Sequence, residues 1–482
     1  MDRKPQEPKM DESFKTGCFL VSETPSALKL DPPSPTKRPN SSIKTIFSCA
    51  NTMIGSVCLI LPLIFHNSGI ITSLLIMMIV CLISLKTCTL LLQHCTDADV
   101  DLPALISRVL GPIYSRIYCL ASGLFLCIVV IINYLLMTNM AYVIITFIID
   151  RVDPHSYVSK NIFTFSKFSF QWASIVTLIL VGLLANLKKI TFITKLGHYG
   201  VICLYIYTLF IIYIAIENIS DGTFETHKSE VSFVTEDVAN LAGTFALSCM
   251  LHNAAIPIFR QNRNQKNNTR DLSLAFFLTF LIYFLIGFFG SLGILGKTPK
   301  NCQTANNVMD FFDKDDILPF LIEIIYLSHL LTAFPIVNYL ARSQILKFIL
   351  GRENIPNIYK DFFNLGILSI CLIFGLLNVN PDIVIAIDGA IMGLFIIYVV
   401  PIKLHFKCLN VREEKIYEDL NKNFEQMEES FLLKSHVDQQ CLKGESWSSQ
   451  KLRVVFYTCI ILIGVAFMVV QIEELLRGLI FK

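Results

Sequence analysis

Asn51, Thr52, Met53, Ile54, Gly55 and Ser56 form one unbroken run inside an otherwise apolar segment, 47–66, which also contains Pro62. The segment is long enough to cross a bilayer, and a lipid anchor has no use for an amide, two hydroxyls and a glycine. Backbone left unpaired in hydrocarbon is costly, so such an interruption is tolerated where it lines a protein cavity or meets a ligand. At a helix broken in mid-membrane, free amides can hold a carboxylate and free carbonyls can hold an amine or a sodium ion. The run therefore predicts a site for a zwitterion.

A second run repeats the pattern: Gly243, Thr244, Ser248, His252, Asn253 and Pro257 interrupt another apolar segment. A third supplies a facing wall, because Ser328, His329 and Thr332 precede Pro335 at spacings that put them on one helix face. Oxygens from Asn51 and Thr332 suit a hard cation such as sodium, although a buried Thr equally well bonds the carbonyl four residues back. Singly, Gly55 and Gly243 fit close helix packing; their occurrence in two matching segments favours a site. Three further groups at membrane depth need a partner or a cavity. Glu323 either reaches outward to water or attracts a cationic substrate. Asp388, beside Gly389, is expected to face the cavity and meet a substrate guanidinium, a proton or another helix. His252 has an ordinary pKa of about 6.5 that suits a proton shuttle, but a hydrogen-bonded structural role is the favoured reading.

These residues must be positioned by membrane helices. Of 482 residues, 54% are hydrophobic and 16% charged, and mean hydropathy is +0.59, which excludes an ordinary soluble protein. The net charge of +2 and the lack of an aromatic-interleaved basic patch exclude nucleic acid as a partner. Eleven spans are read from the roughly 20-residue rule: 43–65, 69–93, 114–148, 170–187, 196–217, 232–259, 270–296, 317–342, 361–379, 382–405 and 452–476. The third is too long to stand upright and must tilt or project. Five, five and one is the count of an all-α polytopic membrane protein with two inverted repeats, 43–217 and 232–405, whose first helices are both broken. A loop, 406–450, and a last helix with its terminus, 451–482, complete the chain.

Charge between the spans sets the orientation. Lys188, Lys189 and Lys195, then Arg260, Arg263, Lys266 and Arg270, then Arg342, Lys347, Arg352 and Lys360 mark cytosolic loops. The alternate stretches 217–237 and 310–316 are acid-rich. The polar tail, 1–42, is thus expected to be disordered and cytosolic, with the carboxyl terminus luminal or extracellular. Of 15 cysteines only Cys302 falls in an outer loop, so no outer disulfide within the chain is expected. The sequon at Asn218 could carry a glycan, whereas the one at Asn267 is expected to be silent. Within 406–450, a charged amphipathic stretch precedes Glu428-Glu429-Ser430-Phe431-Leu432-Leu433, which fits an acidic dileucine sorting signal. Ser34-Pro35 is a candidate phosphosite.

Asn51-Thr52-Met53-Ile54-Gly55-Ser56 resembles the first-helix signature of the amino acid/auxin permease superfamily, and within it the sodium-coupled neutral amino acid transporters. The likeness extends through His252-Asn253 with Asn268-Thr269-Arg270-Asp271, Thr332-Ala333-Phe334-Pro335 with Tyr339-Leu340-Ala341-Arg342, and Gly389-Ala390-Ile391-Met392-Gly393 with Tyr398-Val399-Val400-Pro401. It is strongest to the family's ninth member, a lysosomal arginine transporter and sensor. The resemblance implies a LeuT-like fold and an amino acid held around Thr52, Met53, Ile54, Gly55 and Ser56. His252 and Asn253 would serve from the second break, and sodium would sit at Asn51 and Thr332. Where that member has Thr-Ser after the glycine, this chain has Ser56-Val57, so arginine is not carried over as substrate. Its long tail docks a cytosolic nutrient-signalling complex; the tail here is shorter, and docking is not carried over either.

The expected function is alternating-access transport of an amino acid, coupled to sodium, with no other cofactor, in a lysosomal or endosomal membrane. The rival is an amino-acid sensor signalling through the tail and the 406–450 loop. An intramembrane enzyme is not expected, since neither a paired catalytic Asp motif, a Gly-x-Ser-x-Gly elbow nor repeated His boxes occur.

Overall fold

The computed structural model describes residues 40–480 apart from 154–155, 159, 161, 187–189, 235–238, 298–306, 313–315, 352–354 and 412–446. The 1–39 stretch, the 406–450 loop from 412 to 446, Lys188, Lys189 and Cys302 lie outside the described residues. So do the candidate signals at Ser34 and at Leu432-Leu433.

Long apolar runs in hydrocarbon must satisfy every backbone group internally, and the helix does this within one segment. Nine helices among the described residues are long and apolar enough to span a membrane, with Phe170–Ala185 a shorter apolar one. In chain order α1 is Ser42–Met53, α2 Leu61–Ser68, α3 Ile70–His94, α4 Leu102–Leu110, α5 Pro112–Asp150, α6 Phe170–Ala185 and α7 Ile190–Ser220. Then come α8 Thr223–His227, α9 Ala239–Ser248, α10 His252–Arg260, α11 Asn268–Gly293, α12 Ile317–Leu350, α13 Asn357–Leu376, α14 Pro381–Gly393 and α15 Trp447–Ile480. At about 1.5 Å per residue α5 is roughly 58 Å long, well beyond the hydrocarbon core of about 30 Å, as its length required. α14 widens into a π-helical stretch, Leu394–Val399, before the helix runs on to Val411.

Composition missed α4. It is a short amphipathic helix whose first turn is capped by Asp101, which accepts from the Ala104 amide. Between α3 and α4, Asp99 takes two hydrogen bonds from Arg108, at 3.0 Å and 2.7 Å, and two from Thr96. Arg108 also donates to the His94 carbonyl at the end of α3. Burial would raise the Asp99 pKa, but these bonds outweigh it and hold the carboxyl below its usual value.

One large apolar core joins the long helices. α12 lies against α5 and α7, α11 against α7 and α2, and α14 against α9. The α9–α14 contact is backbone on backbone: a Cβ on Gly389 would lie 1.8 Å from the Gly243 carbonyl oxygen, and one on Gly243 would lie 2.3 Å from that of Ala386. Gly243 thus serves packing. The sequon residue Asn218 is corrected as well. Its side-chain amide, the atom a glycan would need, is buried and donates to the Leu292, Gly293 and Leu295 carbonyls, closing the end of α11.

Candidate substrate and ion site

The first span is broken where the polar run stands. α1 ends at Met53; Ile54 is extended, and Gly55 takes φ −145 and ψ −143. A 3-10 turn, Ser56–Leu59, leads into α2, which has Pro62 in its first turn. Proline is tolerated there because that amide has no helical partner. The second break separates α9 from α10 at residues 249–251, several residues beyond Gly243. Each break brings a helix carboxyl end, rich in free carbonyls, close to an amino end rich in free amides.

Buried tyrosines from other helices satisfy the carbonyls thus freed. The Tyr283 hydroxyl on α11 donates to the Met53 carbonyl at 2.6 Å and lies 3.3 Å from the Ser248 carbonyl, so one phenol bridges the ends of α1 and α9. Tyr326 on α12 donates to the Gly55 carbonyl at 3.0 Å, and Tyr207 on α7 to the Cys58 carbonyl at 3.2 Å. The last two rings pack edge to face, 4.7 Å apart.

Between the breaks lies a cavity of about 180 Å³. Asn51, Thr52, Met53, Ile54, Gly55, Ser56 and Val57 line it from the first break, and Leu247, Ser248, Met250, Asn253 and Ala254 from the second. A Cβ on Gly55 would meet no atom within 4 Å, so this glycine leaves open space where Gly243 does not. α5 contributes Phe125, Leu126, Val129 and Asn133; α12 contributes His329, Thr332, Ala333, Ile336, Val337 and Leu340. No Asp or Glu is among these lining residues.

Two polar groups are held ready for a ligand. Asn253 accepts from the Tyr118 phenol of α5 through Oδ1, which fixes the amide and leaves Nδ2 as a buried donor without a protein partner. His329 Nδ1 lies 2.9 Å from the Gly200 carbonyl of α7. A carbonyl only accepts, so Nδ1 carries the hydrogen, and in the neutral ring Nε2 is an acceptor. That nitrogen is buried and unpartnered. A carboxylate and an ammonium would find complementary groups here.

Several expectations are corrected. His252 does not line the cavity: its Nε2 lies 2.9 Å from Thr87 Oγ1 on α3, because successive residues of a helix point about 100° apart and Asn253 takes the cavity side. Ser328 is exposed and bonds the Ile324 carbonyl, so the shared face of α12 holds His329 and Thr332 only. Thr332 Oγ1 donates to the His329 carbonyl at 2.7 Å, leaving its lone pairs free. Asp388 and Glu323 are buried outside the cavity lining. Asn133, Tyr118 and the bridging Tyr283 were not anticipated; Asn133 and Tyr283 sit in nearly continuous apolar sequence, and a lone Asn or Tyr carries no local signal of a distant partner.

A family described as transmembrane amino acid transporter protein matches residues 38–423. The chain is 27% identical to neutral amino acid transporter 9 of Danio rerio over 436 residues, covering 79% of this chain and 77% of that one. It is 26% identical to the Rattus norvegicus protein of that name, covering 80% and 76%. With the sodium-coupled neutral amino acid transporter 9 homolog of Caenorhabditis elegans the identity is 25%, over 76% and 68% of the two chains. Among solved structures it is similar to MhsT in complex with L-phenylalanine, with TM-score 0.48 and 11% identity over 73% of this chain and 87% of that one. It is also similar to the closed conformation of Mhp1, with TM-score 0.49 and 10% identity over 76% and 79%.

Proposed function

The chain belongs to the transmembrane amino acid transporter family, and from that premise we propose that it carries amino acids by alternating access, binding them in the cavity between the two helix breaks. The observation that carries this reading is the convergence of both breaks on one cavity, with a donor at Asn253 and an acceptor at His329. The substrate carboxylate lies against the amino ends of α10 and of the turn after Gly55, where free amides and the helix dipole favour an anion, with Asn253 Nδ2 beside it. The ammonium takes the carbonyl ends of α1 and α9 together with His329 Nε2. With neither a carboxylate nor a Lys or Arg on the lining, a charged side chain is left without a counter-charge, so the substrate class is an amino acid with an uncharged side chain. Asn51 and Thr332, whose hydroxyl keeps its lone pairs free, would hold a sodium ion that favours the loaded state. The dileucine segment at Leu432 and Leu433 supports a lysosomal or endosomal membrane, with the amino terminus cytosolic.

The test is uptake of a radiolabelled panel by the full-length chain in liposomes, with and without a sodium gradient. Uncharged amino acids should accumulate and outcompete arginine, with sodium stimulating uptake. Ser56→Trp fills the cavity and should abolish uptake while the protein still folds; unchanged uptake would remove the first break from the mechanism. Binding without movement of any amino acid would replace transport by sensing.

A further inference from the structure

Asp388 is 1% exposed on α14, and both carboxyl oxygens are buried without a hydrogen-bond partner. Helices α5, α9 and α15 pack against α14. From α5 the Cys127 thiol is close enough to be influenced by the carboxyl. Ala239–Ser248 of α9 carries no titratable side chain, and no group of α15 among the described residues hydrogen-bonds the carboxyl. An ionised carboxylate there would hold its charge in a low-dielectric interior with nothing to offset it, and a group so placed takes up a proton instead. Ionisable residues at membrane depth with this cost generally mark a pathway.

The neighbouring residue ties this carboxyl to the moving parts. Gly389 sits against the Gly243 carbonyl of α9 with no side chain between them, and the far end of α9, at Leu247 and Ser248, forms a wall of the cavity. A shift of α9 that opens or closes the cavity therefore displaces the turn carrying Asp388. Below it α14 passes into the π-helical stretch Leu394–Val399, a wider turn of the kind that accompanies functional sites.

We propose that Asp388 is a proton-binding site that couples proton movement to transport, separate from the amino acid cavity; the proposal rests on the transport reading above. In this conformation the carboxyl is the neutral acid. When rearrangement of α9 against α14 hydrates it from one side, Asp388 Oδ2 gives its proton to water; from the other side it takes one from hydronium. One O–H bond breaks and one forms at the same oxygen, and no other reactant is consumed.

The experiment uses the full-length chain in liposomes with an internal pH dye and a mixture of the twenty radiolabelled amino acids. A gradient of one pH unit should drive about tenfold accumulation at one proton per amino acid, together with a dye signal. Asp388→Asn replaces a neutral acid by a neutral amide of the same size. It should keep the wild-type melting temperature and the exchange of labelled for unlabelled amino acids at equal pH, yet lose both the pH-driven accumulation and the dye signal. Wild-type uptake indifferent to the pH gradient, or an Asp388→Asn protein that accumulates as the wild type does, overturns the proposal. Should the wild type move no amino acid under any gradient, the transport reading falls first. The site is then judged by dicyclohexylcarbodiimide, which modifies protonated carboxyls in apolar surroundings: an adduct on Asp388 at pH 7, found by mass spectrometry, upholds proton binding, and its absence overturns it.

Discussion

At the scale of residues, the site depends on how few groups are left unpaired and on what orients them. Asn253 can donate toward a carboxylate because Tyr118 occupies its oxygen. His329 can accept because Gly200 occupies its other nitrogen. Tyr118→Phe releases the Asn253 amide to rotate and should raise KM for amino acid uptake about tenfold, the worth of a hydrogen bond of roughly 1–1.5 kcal/mol, with kcat little changed. Kinetics in liposomes check this, and an unchanged KM would mean that Asn253 does not touch the substrate. The run Asn51 to Ser56 was legible as a cavity element because its residue types do not suit lipid. The choice between His252 and Asn253 was not legible: adjacent residues on one helix point to different neighbours, and only the packing of α10 against α3 shows that His252 belongs to Thr87.

Between residues and the whole stand the elements, whose broken ends need partners from elsewhere in the chain. Tyr207, Tyr283 and Tyr326 supply them from α7, α11 and α12. No local pattern in those apolar helices announces the role, since the Cys58, Met53 and Gly55 carbonyls lie more than a hundred residues from the phenols that reach them. The link between α3 and α4 follows a similar logic at the membrane edge. Arg108 and Thr96 hold the Asp99 carboxyl below its usual value in spite of burial, so its contribution to stability is fully present above the ordinary aspartate value of about 3.9. It is lost as pH falls through the lower folded value. Asp99→Asn should therefore lower stability by about 1–3 kcal/mol at pH 7, with the difference from wild type shrinking as the pH drops below 4. Thermal unfolding in detergent across that range checks the trend. A constant difference across it would show that charge is not what the pair contributes.

For the whole molecule, the shape of the cavity carries a conformational statement. Its lining on α12 runs from His329 to Leu340, about 16 Å along the helix axis, toward the end that bears Arg342 and Lys347. The lining on α5 reaches from Asn133 back to Phe125, toward the same side. On the opposite side Leu59, Tyr207 and Tyr326 are fully buried. The cavity lining thus extends toward the basic loops, while fully buried side chains stand on the other face. Leu340→Cys should react with a membrane-impermeant maleimide only from the basic-loop side, and an amino acid substrate should slow the reaction. Labelling only from the acidic-loop side would reverse the orientation read from charge. The sequence by itself determined the class of molecule and its approximate spans. It also marked the two segments that would be interrupted, because hydrocarbon length, unpaired backbone and polar residue types are local costs that each segment meets alone. What only the tertiary structure decided was which atoms face one another across the breaks: the phenols on the freed carbonyls, the ready donor and acceptor at Asn253 and His329, and the isolation of Asp388. Those are properties of helices distant in sequence brought within a few ångströms of one another. Rotation of a helix about its axis, fixed by contacts such as Gly389 on Gly243, selects which of its residues meet the cavity.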